Sequence, residues 1–180
     1  MKLVALVGMT GAGKSEVSRL LRMNKFTSVR FGDATDKEVE KKGMELNEES
    51  ERLVREGLRE KYGMAAYAVI NLPRIDTALK KGNVAIDGLY SWEEYNVLKE
   101  KYGEKLILLA VWSSPTMRYR RLALRHCRPL TATEAAERDK SEIENLNKGG
   151  PIAMASFTIN NEGSLEELAT QVEKFLARLK

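Results

Sequence analysis

Gly8-Met9-Thr10-Gly11-Ala12-Gly13-Lys14-Ser15 matches the pattern G-x-x-x-x-G-K-[ST] at every fixed position. It follows the apolar run Leu3-Val4-Ala5-Leu6-Val7 and opens a helical pattern, which is the context a phosphate-cradling loop requires. Gly8, Gly11, Ala12 and Gly13 supply backbone amides that turn inward around a phosphate. Lys14 adds a point charge for the terminal phosphates, and the new helix offers its positive end. The Ser15 hydroxyl suits a magnesium ion, which takes oxygen ligands and keeps several waters. The stretch therefore implies binding of a nucleoside triphosphate, ATP by first expectation, with Mg2+. It leaves open what is done with the nucleotide.

Outward from this loop, short apolar runs alternate with longer helical patterns. Residues 2–7, 27–31, 83–86, 105–112 and 156–159 read as strands, most of them apolar on both faces. Ser91 with Glu94, Thr131 with Glu134 and Ser164 with Glu167 have capping-box spacing, and Ser114-Pro115 reads as an N-cap followed by proline at the first helical position. Strand–helix alternation predicts an α/β protein, a parallel five-stranded sheet with helices on both faces. One domain over residues 1–180 is expected, with a helical acceptor-binding insertion at 34–81 and an arginine-rich lid at 118–148. Both follow strand ends, where open parallel sheets hold their ligand crevice.

Two aspartates end strand patterns. Asp87, after Val84-Ala85-Ile86, is placed to hold a magnesium-bound water across from Ser15, or to cap a helix. Asp33 can accept a proton from an attacking hydroxyl, or simply cap a helix. Arg121 and Arg125 are four apart and are expected on one helix face with Arg118, where a closing segment would clamp migrating phosphoryl charge. A solvated basic face is the plainer reading for Arg118, Arg120 and Arg128. Arg55 and Arg59 are candidates to face an acceptor phosphate. Cys127 reads as an incidental thiol and His126 as a surface residue. Tyr62, Tyr67, Trp92, Tyr95 and Trp112 read as core or half-buried residues.

The chain has 180 residues, 43% apolar and 31% charged, enough for one ordinary core and inconsistent with a disordered chain. No run of eighteen apolar residues suggests a membrane span, and the first apolar run leads into a glycine loop, not a cleavage site. A single cysteine and a single histidine exclude an internal disulfide and a His/Cys metal cage. A cytoplasmic location is expected. The net charge of +4 suits polyanionic ligands, with no recognised nucleic-acid module.

Four segments together resemble P-loop kinases of the nucleoside-monophosphate-kinase type, most closely the dephospho-CoA kinases and their archaeal adenylate-kinase-related relatives. They are the phosphate loop, Phe31-Gly32-Asp33-Ala34-Thr35-Asp36, the lid stretch 121–138, and Phe157-Thr158-Ile159-Asn160-Asn161-Glu162-Gly163 with the helix after it. The resemblance implies that Asp33 is the base for an acceptor hydroxyl and that Asn160 lies near the nucleotide's adenine. Asp87-Gly88-Leu89-Tyr90 is similar to the Asp-Gly-Phe-Pro-Arg turn of adenylate kinases but lacks its arginine. The implied activity is transfer of the ATP γ-phosphoryl group to a small nucleotide-like acceptor, dephospho-CoA first and a nucleoside monophosphate second. An NTP-dependent regulatory switch is the competing class.

Overall fold

In the computed structural model the strands pair in the order β2-β3-β1-β4-β5, every neighbour parallel. The structure describes residues 1–126 and 129–179, with the backbone alone of Glu48. The expectations for Cys127 and Arg128 lie outside the described residues. The strands are β1 Leu3–Val7, β2 Thr27–Arg30, β3 Val84–Asp87, β4 Leu106–Trp112 and β5 Phe157–Asn160. The helices are α1 Lys14–Met23, α2 Asp33–Lys41, α3 Glu48–Tyr62, α4 Ala66–Leu79 and α5 Trp92–Tyr102. Then follow α6 Pro115–Ala123, α7 Ala132–Glu144, α8 Gly149–Ala153 and α9 Leu165–Arg178. All five strand expectations hold to within one or two residues.

β1 is central and wholly buried, which is why it reads as an unbroken apolar run. Its side chains alternate between two cores. Leu3, Ala5 and Val7 pack with Ile75 of α4 and with Tyr95 and Leu98 of α5. Val4 and Leu6 pack with Val17 and Leu21 of α1 and with Leu168, Val172 and Phe175 of α9. The helix after β1 thus covers one face and the helix after β3 the other. A crevice opens between their loops at the carboxyl ends of these neighbouring strands.

The N-caps follow the sequence signals. Thr131 and Ser164 form reciprocal capping boxes, and Ser114 caps α6 with Pro115 in its first turn. At α5 the reciprocity is altered: Ser91 accepts from the Glu94 amide, but the Glu94 carboxylate accepts from Tyr90 N at 2.8 Å. Within the 34–81 stretch, α4 is part of the core, with Ala66, Tyr67, Ala68, Asn71, Ile75 and Ala78 buried. Only α2 and α3 are left to stand over the crevice. Tyr62 and Trp112 are exposed, contrary to the aromatic expectation, because each ends its element at the rim. Among the described residues, no helix is long and apolar enough to cross a membrane.

Candidate active site

The phosphate loop is shaped by glycines that no other residue could replace without movement. Gly8 has φ 143°, and a Cβ there would strike the Val111 carbonyl oxygen. Gly13 has φ 98°, and a Cβ would strike the Asn161 side-chain amide. That amide donates to Ala12 O at 2.8 Å, tying the loop to the segment after β5. Asn161 is buried, while Asn160 is exposed with its backbone paired to Gln171. The phosphate-loop contact thus belongs to Asn161 and not to Asn160, because Asn160 ends the edge strand facing outward.

Lys14 starts α1 and curls back over the loop, donating to Gly8 O at 2.8 Å and Met9 O at 3.0 Å. Desolvation, reinforced by the charge of Lys148, pulls its pKa down to about 7. An ammonium whose hydrogen bonds go to backbone carbonyls, with the Glu142 and Asp87 charges only nearby, favours an incoming phosphate. Burial pushes the Asp87 carboxyl up, opposed by the nearby Lys14 charge. Asp87 ends β3 in register with Leu6 of β1, beside the loop. Among the described residues, no group of three or more His, Cys, Asp or Glu side chains could hold a metal alone. One carboxylate, Asp87, and one hydroxyl, Ser15, fit magnesium, which draws its other oxygens from phosphates and water.

Asp33 is the first residue of α2 and makes no side-chain cap. Its carboxylate instead meets Arg74 Nη2 at 2.7 Å and Arg30 Nη1 at 3.2 Å. The capping alternative is therefore set aside, and Arg74, 41 residues away, is a partner that nothing in the local sequence announces.

The arginine-rich segment is arranged differently from its spacing. α6 ends at Ala123 with Leu124 as its cap, so Arg125 lies beyond the helix and shares no helix face with Arg121. Arg121 Nη1 donates to Ser113 Oγ at 2.9 Å, at the end of β4. Arg125 still comes within electrostatic reach of Lys14, and desolvation and Arg138 pull its pKa below the usual guanidinium range. Arg118, which reads as part of a basic face, is buried. It holds Asp139 of α7 through two bonds of 2.7 and 2.6 Å and also donates to Thr10 O and Ser113 O, each at 3.1 Å. α6, α7 and the phosphate loop are thus fastened by one side chain.

Asp139 and Glu142 are three apart on α7, so they share its inner face, and both are buried. Glu142 accepts from Thr10 N at 3.1 Å and from Thr10 Oγ1 at 2.5 Å, and lies 2.8 Å from Lys148 Nζ. Burial pushes the Glu142 carboxyl up, but Lys148, the Thr10 hydroxyl and the Lys14 charge together hold it down at about 2. Glu142 also walls a cleft of about 840 Å³ between α2, α3 and α7. Arg30, Arg55, Arg59, Arg138, Tyr67 and Tyr90 line it too.

These elements define a P-loop NTPase domain with a kinase-like fold, and residues 4–147 match the AAA domain family, to which the chain belongs. Its relatives include a UPF0200 protein of Pyrococcus horikoshii, 32% identical over 98% of this chain and 97% of that protein, which makes the chain a UPF0200 family member. Among solved structures it is similar to shikimate kinase from Acinetobacter baumannii in complex with shikimate, with TM-score 0.62 and 18% identity over 100% of this chain and 95% of that one. A gluconokinase from Sinorhizobium meliloti matches with TM-score 0.60 and 15% identity, over 99% and 93% of the two chains. At such identities the likeness is one of fold.

Proposed function

We propose that the protein is an ATP-dependent phosphotransferase that passes the γ-phosphoryl group to a small anionic acceptor. One observation carries this reading: Glu142 both walls the arginine-lined cleft and hydrogen-bonds Thr10 of the phosphate loop, so the cleft adjoins the nucleotide site. A regulatory switch needs no second small-molecule cavity next to its triphosphate. At about 840 Å³ the cleft has ligand-pocket size. The Arg59 guanidinium lies 5.7 Å over the Tyr67 ring, and its buried Nε has no hydrogen-bond partner among the described residues, which favours a ring-bearing or phosphorylated acceptor.

Lys14 and the loop amides hold the triphosphate in line with the cleft. Magnesium, held by Ser15 and Asp87, supplies charge neutralisation on the phosphate oxygens. An acceptor oxygen attacks the γ-phosphorus as its bond to the β,γ-bridging oxygen breaks, ADP leaves, and the acceptor proton passes to Asp33. Arg121 and Arg125 hold the migrating charge. Dephospho-CoA is the first acceptor to test and a nucleoside monophosphate the second, with shikimate and gluconate added because the fold neighbours act on such compounds. The test is ADP release from magnesium ATP with each acceptor against the acceptor-free rate. Stimulation by one acceptor class supports the kinase, whereas one equal rate throughout leaves an NTP-dependent switch.

Two variants test the assigned residues. Asp33→Asn is expected to lower turnover by ~10²–10⁴-fold with nucleotide affinity nearly unchanged. Both its ion pairs are partly exposed, so little stability is lost. Full turnover in this variant would reduce Asp33 to an ion-pair partner. Arg125→Ala is expected to lower turnover by ~10²-fold, more than it weakens ATP binding, while Arg120→Ala at an exposed site is silent. Equal losses that shrink together with added salt would mark both as screened surface charges.

A further inference from the structure

Glu142 occupies an anion site. Its carboxylate is enclosed by a phosphate-loop amide and hydroxyl, both of Thr10, by Lys148 Nζ at 2.8 Å and by Arg138 Nε at 3.7 Å. The two Thr10 donors belong to a loop whose amides are arranged for phosphate. A triphosphate seated on Lys14 claims the same region, and two desolvated anions cannot share it. Glu142 must therefore yield when nucleotide arrives.

Lys148 then loses its ion-pair partner and keeps only the weaker pull of the buried Glu94 carboxylate. It is 1% exposed, lies 5.4 Å over the Tyr90 ring, and interacts electrostatically with Lys14. Its Nζ has no well-directed hydrogen bond among the described residues, although the Glu142 carboxylate is close. A buried ammonium stripped of its carboxylate needs another anion. The terminal phosphate that displaces Glu142 is the anion at hand. We infer that Lys148 is a second phosphate-binding lysine, selective for the terminal phosphate of a nucleoside triphosphate, and that Glu142 stands in for that phosphate in the nucleotide-free protein. This rests on the proposed nucleotide site and adds to it a residue outside the sequence motif.

The test compares affinities of the purified full chain for a non-hydrolysable ATP analogue and for ADP, both with magnesium. Lys148→Met is expected to weaken the analogue about tenfold or more, the order of a lost charge-assisted contact, and ADP by no more than about twofold. Glu142→Gln/Lys148→Met, which removes both buried charges together and so guards against misfolding, is expected to show the same loss of discrimination. If Lys148 only ties the start of α8 to α7, the melting temperature of Lys148→Met falls while the analogue-to-ADP affinity ratio stays at its wild-type value. An unchanged ratio in either folded variant overturns the inference and leaves the nucleotide site intact. Wild-type protein that binds neither nucleotide overturns the nucleotide site and the inference together.

Discussion

Replacing Lys14 with alanine is expected to abolish acceptor-dependent turnover, by at least ~10²–10³-fold, in a protein that folds as before. Lys14 contributes no packing to either core. Its ammonium is desolvated, faces the like charge of Lys148, and is held by two carbonyls, Gly8 O and Met9 O. Removing a charge that is poorly solvated costs little stability and relieves part of that repulsion. With the triphosphate bound the balance reverses. At the proposed nucleotide site the phosphate oxygens would replace the two carbonyls as partners, and the lysine would neutralise charge that builds on the transferring group. Circular dichroism and thermal melting should match wild type, while ADP release falls to background. A melting temperature well below wild type would give Lys14 a structural role, and normal turnover would make the loop match accidental.

The parts of this site that sequence discloses are those whose signals are local. The phosphate loop is eight consecutive residues, the strands are apolar runs, and the caps depend on a spacing of three. Each is decided within one or two turns of chain. What escapes is assembled across distance. Thr10 and Glu142 are 132 residues apart, Asn161 and Ala12 are 149 apart, and Asp33 and Arg74 are 41 apart. Asp139 and Glu142 do carry a hint, since two acids on one face of the lid helix imply buried cations opposite them. Lys148 carries none. Periodicity also overreaches at Arg125: its spacing from Arg121 is helical, yet the helix has stopped at Leu124. Spacing cannot show where a helix ends without a glycine or proline stop.

Arg118→Ala is expected to be the most destabilising single change in the lid, costing about 3–5 kcal/mol and lowering the melting temperature by roughly 10 °C. Its guanidinium is 4% exposed and is the partner that neutralises Asp139. Truncation leaves that carboxylate buried with only the Tyr119 hydroxyl, at 3.0 Å, among the described residues, and removes a donor from Thr10 O and from Ser113 O. Arg118→Lys should recover only part of the loss, because a point charge cannot make the paired bonds of 2.7 and 2.6 Å and still reach both carbonyls. Arg120→Ala, two residues on and exposed, should stay within about 0.5 kcal/mol of wild type. Nucleotide affinity should fall with Arg118→Ala as well, since the guanidinium's bond to Thr10 O, inside the phosphate loop, is lost. A variant that melts near wild type would mean that Asp139 finds another cation when Arg118 is gone. One that melts low but binds ATP normally would mean that the clamp supports the lid helix without shaping the loop. The expected joint loss follows from one buried side chain that bonds the loop, the end of β4 and the lid helix together.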